Sequence, residues 1–259
     1  MKYLLLISFL LLVPNFFPAH LIELPESKVK EEDFDPVLTK RIQDMDDLEN
    51  FVDSTVTARG IIFESEEYAD LLSSIVRLRF FHSYSHYSLR ENWLAAVAGR
   101  FFWYDLSAIV IPDDILQYPM AACSQQSIVL MEFFKRKRLP YRKVGFDGHF
   151  AVEGNMNGRW LYFDTNMEPE FPDGKRTSLS YLLKDDNLKE LYKNVLRPEQ
   201  IPTALGHPYY GKINELPAPQ ASLFHHATGF LSHWLWLIPL LLYGYISRRD
   251  RIKKRAELI

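Results

Sequence analysis

The segment "CSQQSIVLMEFFKRKRLPYRKVGFDGHFAVEGNMNGRWLYFD", residues 123–164, contains most of the information about the fold. Residues 123–138 place apolar side chains at helical spacing and predict a helix that Pro140 ends. Three short apolar or alternating runs follow, YRKVGF, HFAVEG and RWLYFD, and they are separated by the turn signals DG and NMNG. This pattern predicts a helix followed by an antiparallel sheet, and therefore an α+β domain.

The turn NMNG, residues 155–158, determines which residues of the last two strands lie opposite each other. A loop of MN would place His149 directly opposite Asp164. A loop of NG would place Asp164 opposite Ala151 and diagonal to His149. In both registers the imidazole and the carboxylate share one face of the sheet within reach of each other, so we expect His149 and Asp164 to be neighbours.

Cys123 is the single cysteine in a chain of 259 residues, and it stands at the predicted start of the helix. The helix dipole and the free backbone N–H groups at that position favour a thiolate and can stabilise an oxyanion. With His149 as base and Asp164 as the group that orients its ring, Cys123 would be an activated nucleophile. Gln117, on the loop that leads to the cysteine, is a candidate oxyanion donor. The alternatives are an inert buried thiol and a structural His–Asp pair.

These segments together resemble the transglutaminase-like superfamily, whose core is a papain-like thiol fold. The Cys-headed helix, LPYRKV, GHFAVE and GRWLYFD follow one another in the order of that family, and the resemblance covers roughly residues 65–170. It implies an α+β core in which N-terminal helices pack on an antiparallel sheet. It also implies that Cys123, His149 and Asp164 act as nucleophile, base and orienting acid, and it assigns no clear role to Gln117.

The resemblance further implies an enzyme that acts on amide bonds, by peptide hydrolysis or by acyl transfer. The expected substrate is a peptide or protein in the cell envelope, and we expect no cofactor. His82 and His86 are one helical turn apart, but no carboxylate or cysteine nearby completes a metal site, so no metal is predicted. The alternative is a non-catalytic transglutaminase-like module that binds or scaffolds an envelope or polysaccharide-export assembly.

Both ends of the chain carry apolar segments that are typical of membrane proteins. Residues 1–21 have the character of a signal or an N-terminal anchor. Residues 229–247 have the length and the aromatic flanks of a transmembrane helix. Six basic residues in the tail 248–259 place that tail in the cytoplasm and the folded domain in the periplasm. A single cysteine can form no internal disulfide, and the absence of a glycosylation sequon favours a bacterial envelope protein. We expect it to be anchored in the cell membrane by one or two spans.

The rest of the chain divides by composition. We expect an acidic stalk over residues 22–60, the transglutaminase-like domain over 61–197, and a proline-rich linker over 198–228. Within the domain, residues 65–81 and 178–195 predict further helices. A hydrophobic content of 47% suffices for a sizeable core, and a net charge of −3 with no sustained basic face argues against nucleic-acid binding.

Overall fold

The computed structural model describes residues 2–17 and 34–256, which form an α+β structure. The helices, in chain order, are α1 (Lys2–Leu12), α2 (Pro36–Arg41), α3 (Met45–Arg59), α4 (Glu66–Arg79), α5 (Leu89–Phe101), α6 (Pro112–Leu116), α7 (Cys123–Arg136), α8 (Leu179–Leu182), α9 (Asn187–Tyr192), α10 (Ile201–Leu205), α11 (Pro219–Trp234) and α12 (Leu237–Ala256). Short 3-10 helices cover Val13–Phe16, Tyr104–Ser107 and Pro172–Gly174. The strands are β1 (Tyr141–Gly145), β2 (Phe150–Met156), β3 (Arg159–Phe163) and β4 (Tyr209–Tyr210).

The described residues form two compact units. The helical unit comprises residues 2–17, 86–109 and 220–256, and the α+β unit comprises residues 34–85 and 110–219. The α+β unit contains the sheet together with Cys123, His149 and Asp164. The stretch 86–109, which was predicted within the transglutaminase-like domain, belongs to the helical unit instead.

The sheet is antiparallel, with the strand order β3–β2–β1–β4. The β2–β3 hairpin turns over Asn157 and Gly158, whose φ angles are 49° and 78°, and pairs Met156 with Arg159. A two-residue turn with positive φ at both central residues matches the right-handed twist of the strands, and Asn-Gly is the favoured pair for it. The NG register is therefore correct, and the MN register is wrong.

Helices cover both faces of the sheet. On one face α7 packs closely, with the ring centroids of Phe134 and Phe163 5.3 Å apart. Gly154 permits this approach, because a Cβ atom at that position would lie 2.6 Å from Phe134 Cζ. On the other face, β1 to β3 form an apolar cluster with the buried leucines of α8 and α9: Leu179, Leu182, Leu188 and Leu191. The sheet is thus the middle layer of the α+β unit.

Residues 34–60 belong to the folded core, so the prediction of an acidic stalk is wrong for them. The helix α3 buries three apolar side chains at helical spacing: Met45, Leu48 and Val52. Its acidic side chains pair with the basic end of α7, where Lys137 Nζ lies 2.8 Å from Glu49 and 2.7 Å from Asp53. The charge pattern therefore marks the outer face of a packed helix. Residues 22–33 of the predicted stalk lie outside the described residues.

Residues 198–219 of the predicted linker belong to the α+β unit and contribute to the sheet and its core, whereas residues 220–228 lie in α11 of the helical unit. The strand β4 pairs antiparallel with β1, and Tyr209 stands opposite Gly145. Because Gly145 has no side chain, the Tyr209 ring can lie against the strand; a Cβ there would be 2.3 Å from the ring. The helix α10 adds Leu205 to the apolar cluster beneath α8 and α9. Tertiary contacts here outweigh the local effect of the prolines.

Two further segments differ from their predicted form. The single helix predicted over residues 178–195 is divided into α8 and α9, because Asp185 and Asp186 adopt positive φ angles of 52° and 58°. Left-handed residues cannot continue an α-helix. The predicted loop before Cys123 contains α6, which begins at Pro112. A proline suits that position because its fixed φ is helical and its missing N–H would have no partner in the first turn.

The helical unit is joined by polar contacts between its helices. Asn92 Nδ2 on α5 donates to Thr228 Oγ1 on α11 at 2.9 Å. Trp93 Nε1 donates to the carbonyl of Ser232 at 3.0 Å. The α1 helix contacts the connection between α11 and α12, where the hydroxyl of the buried Ser8 donates to the carbonyl of Trp236 at 2.8 Å.

In the described part of the chain, no single helix combines the length and apolar character needed to cross a membrane. The pair α11 and α12 meets the requirement together, with a bend of 45° at the break between them. The span predicted over residues 229–247 is therefore not one continuous helix. Because the second helix begins at Leu237, Pro239 falls in its first turn, where the missing N–H costs no hydrogen bond. Residues 18–21 of the predicted N-terminal segment lie outside the described residues.

Candidate active site

Cys123 is the first residue of α7, and its side chain is partly exposed. Ala122, which precedes it, offers no polar side chain to cap the helix; instead its own N–H donates to Gln125 Oε1 at 3.1 Å. The first N–H groups of an α-helix have no partner within the helix. At Cys123 they lie beside the thiol, where they favour a thiolate or another anion.

Two buried polar side chains hold the backbone around the thiol. Gln125 bonds both backbone groups of Ser85, accepting from its N–H at 2.9 Å and donating to its carbonyl at 2.9 Å. Arg79 is only 1% exposed, and its guanidinium donates to three backbone carbonyl oxygens, those of Ile42, Leu116 and Tyr118. Two of these carbonyls belong to the segment that leads to Cys123, so the position of this residue depends on Arg79 as well as on α7.

His149 directly precedes β2 and Asp164 directly follows β3, so both residues stand at the same end of the hairpin. The observed register, continued by one pair beyond β3, places Asp164 opposite Ala151 and diagonal to His149. His149 Nε2 lies 2.7 Å from Asp164 Oδ2, and the two residues are 4% and 0% exposed. The predicted contact between the imidazole and the carboxylate is confirmed.

Four donors surround the Asp164 carboxylate. Its Oδ1 accepts from the backbone N–H groups of Asn166 at 3.2 Å and Met167 at 3.0 Å. Its Oδ2 accepts from His149 and from the hydroxyl of Tyr192. Burial alone would raise the pKa of Asp164, but the charge of His149 and these hydrogen bonds hold it below the ordinary value. Asp164 is therefore a carboxylate throughout the physiological pH range.

The carboxylate determines the tautomer of His149. An ionised carboxylate only accepts hydrogen bonds, so Nε2 carries a proton. Nδ1 is then the ring nitrogen that can bind or release a second proton. The imidazole also interacts with Cys123, and this interaction favours its protonated form. Burial would lower the pKa of His149, but Asp164, with a smaller contribution from Cys123, raises it to about 10. The imidazolium is thus the stable form near neutral pH, as a thiolate–imidazolium pair requires.

The role of Gln117 as an oxyanion donor stays a prediction. Its side chain is exposed at the end of α6 and makes no hydrogen bond to any other described residue. Only its backbone N–H is engaged, with the carbonyls of Asp114 and Ile115. The backbone N–H groups at the start of α7 are better placed as oxyanion donors, because they lie next to Cys123.

His82 and His86 do not share a helix face, because α4 ends at Arg79. His82 Nδ1 lies 2.6 Å from the side-chain amide of Asn166, just beyond Asp164. His86 Nδ1 lies 3.0 Å from Ser107 Oγ in the helical unit. The two imidazoles therefore have separate structural environments.

Three residues important for this geometry were missed by the sequence reasoning. Gln125 is a polar residue on the buried face of α7, and Arg79 is a charged residue among the apolar positions of α4; both irregularities are visible in the sequence. Tyr192 has no such signal, because a tyrosine on an amphipathic helix is an ordinary core residue.

Comparisons with models of known protein families, with curated proteins and with solved structures find no match to this chain. The geometry of Cys123, His149 and Asp164 is therefore the feature of the chain that bears on its function.

Proposed function

We propose that the protein is a membrane-tethered thiol enzyme of the transglutaminase-like type, which acts on amide bonds through Cys123, His149 and Asp164. One observation carries the proposal: a partly exposed thiol at the N-terminus of a helix interacts with an imidazole whose Nε2 bonds a buried carboxylate. In this arrangement His149 lies between the nucleophile Cys123 and the orienting acid Asp164, and both His149 and Asp164 are buried away from water.

In the first half of the reaction, the Cys123 thiolate attacks the carbonyl carbon of an amide. A carbon–sulfur bond forms, and the carbonyl oxygen becomes an oxyanion beside the N–H groups at the start of α7. As the carbon–nitrogen bond breaks, the His149 imidazolium gives its Nδ1 proton to the departing amine. The products are a free amine and an acyl group attached to Cys123.

In the second half, water or a second amine attacks the acyl group. Neutral His149 takes the proton of the attacking group through Nδ1, while Asp164 stabilises the imidazolium that forms. The carbon–sulfur bond then breaks, and the electron pair returns to Cys123 as a thiolate. Hydrolysis and acyl transfer share the same intermediate, and the acceptor that reaches the acyl-enzyme decides between them.

The order of elements supports the assignment to a papain-like, transglutaminase-like core. The nucleophile begins a helix that packs on an antiparallel sheet, and the base and the acid follow on adjacent strands. This is the order that the sequence resemblance implies. A peptide or protein of the cell envelope is the proposed substrate class.

The membrane tether is supported by the side chains that the helical unit exposes. Large apolar residues of α1 and α12 are turned outward, among them Phe9 at 62% and Leu241 at 69% exposure. The aromatic run of residues 101–104 that follows α5 is also highly exposed, with Phe102 at 85%. Apolar surface of this extent is unfavourable in water, and a lipid bilayer would cover it.

The test is the rate of Cys123 alkylation by iodoacetamide as a function of pH, measured by mass spectrometry on the full chain in detergent micelles. If the thiolate–imidazolium pair is present, wild-type protein reacts rapidly at pH 6, and His149→Ala loses that reactivity. Cys123→Ala, which serves as the control, retains its fold by circular dichroism and takes up no label. Incubation with envelope peptides should then give an acyl adduct on Cys123.

A contrary result would support the scaffold alternative. In that case His149→Ala would be alkylated at the same rate as the wild type at every pH, including pH 6.

A further inference from the structure

A chain of buried hydroxyl groups continues the site beyond Asp164. The hydroxyl of Tyr192 donates to Asp164 Oδ2, the same oxygen that bonds His149 Nε2. The hydroxyl of Tyr162 lies 2.8 Å from that of Tyr192. Both tyrosines are fully buried, at 0% exposure.

The direction of the two hydrogen bonds follows from the number of protons available. A hydroxyl has one proton, and that of Tyr192 goes to the carboxylate, which can only accept. Tyr162 must therefore donate to the Tyr192 oxygen, and this makes Tyr192 a stronger donor. Burial raises the pKa of both tyrosines well above the ordinary value, so both remain protonated donors at the pH at which enzymes work.

The backbone holds each ring in place from a different element. Tyr162 lies in the middle of β3, where its N–H donates to the carbonyl of Thr177 at 2.9 Å and its carbonyl accepts from Arg176 at 3.1 Å. Tyr192 is the last residue of α9, which is anchored to the sheet through Leu188 and Leu191. The packing of α9 therefore places the Tyr192 hydroxyl in contact with the Asp164 carboxylate.

We propose that Tyr192, supported by Tyr162, is a positioning residue that limits how strongly Asp164 holds the proton of His149. This inference rests on the proposed function, in which His149 must both hold and release a proton. Tyr192 and His149 share one carboxylate oxygen, so a strong hydrogen bond from the hydroxyl withdraws negative charge from the imidazolium. Without Tyr192, the charge is concentrated on the contact with His149, and the imidazolium retains its proton to higher pH.

The test is an NMR titration of the histidine ring nitrogens between pH 6 and pH 11 in the full chain, with the His149 signals assigned by their loss in His149→Ala. In Tyr192→Phe we expect the midpoint of the His149 titration to rise by about half a pH unit to one pH unit. Tyr162→Phe should give a smaller rise, because Tyr192 still donates but more weakly. A purely structural role would lower the melting temperature without moving the midpoint.

Tyr141→Phe is the matched control, because the Tyr141 hydroxyl is buried and has no hydrogen-bond partner among the described residues. A midpoint in Tyr192→Phe that equals that of Tyr141→Phe, or one that falls, would overturn the inference. If Tyr192→Phe fails to fold, the His149 midpoint in Tyr162→Phe is compared with that in Tyr141→Phe instead, and an equal or lower midpoint would overturn the inference. The proposed function fails on a different measurement, the equal alkylation of wild type and His149→Ala, so the two failures are distinguishable.

Discussion

Replacement of Asp164 by asparagine is the sharpest single perturbation of the site. The pKa of His149 is raised to about 10 from an ordinary value of 6.5, chiefly by Asp164 acting against burial. That difference corresponds to a stabilisation of the imidazolium by roughly 5 kcal/mol. Asparagine has no charge, whereas the burial of His149 persists. We therefore expect the pKa of His149 in Asp164→Asn to fall to about 6.5 or lower, and the imidazole to be neutral at pH 7.5.

The consequence can be measured on the thiol. With a neutral imidazole, Cys123 loses the positive partner that makes a thiol reactive. The rate of iodoacetamide alkylation should then fall about tenfold at pH 7.5, and by a larger factor at pH 6.5. Asp147→Asn is the control, because Asp147 pairs with His207 at 2.6 Å on the surface. An Asp164→Asn profile that superimposes on the wild-type profile would refute the reasoning.

Three further outcomes follow from the structure. The pKa of His149 is raised in the folded state, so its contribution to stability is complete below pH 6.5 and is lost as the pH rises towards about 10. The pKa of Asp164 is lowered in the folded state, so its contribution to stability is present above about pH 3.8 and is lost in acid. Denaturant titrations across both pH ranges should show both losses of stability. Arg79→Met should lower the free energy of unfolding by about 3 kcal/mol or more because three carbonyls lose their donor, whereas exposed Lys40→Met should have little effect. The full chain should remain in the membrane pellet after a carbonate wash, and joint deletion of residues 1–21 and 220–259 should release it; retention of this doubly truncated chain would contradict the tether.

The parts of the fold that could be predicted from the sequence are those determined by local signals. The helix α7 has apolar positions at helical spacing, and the β2–β3 hairpin has an Asn-Gly turn that suits one register. The two registers that NMNG allows differ by two residues and leave the same side chains on one face, so either register predicts the contact between His149 and Asp164.

The parts that were missed depend on contacts distant in sequence. β4 has only two residues, and it pairs with β1 because Gly145 leaves room for the Tyr209 ring. The acidic composition of residues 34–60 suggested a solvated stalk, yet its acids pair with the end of α7.

The energetics of the buried polar groups favour function over structure as the reason for their presence. His149, Asp164, Tyr162 and Tyr192 lie together in an interior where apolar side chains of similar size would pack without any desolvation cost. A buried ion pair seldom stabilises a fold more than such residues do, whereas the loss of one partner is strongly destabilising. The pair also lies beside the one thiol of the chain, and the shared carboxylate oxygen raises the pKa of the imidazole in contact with it. Perturbed titrating groups in this arrangement are expected of an acid–base site, and the hydroxyl chain behind Asp164 provides the means to adjust it.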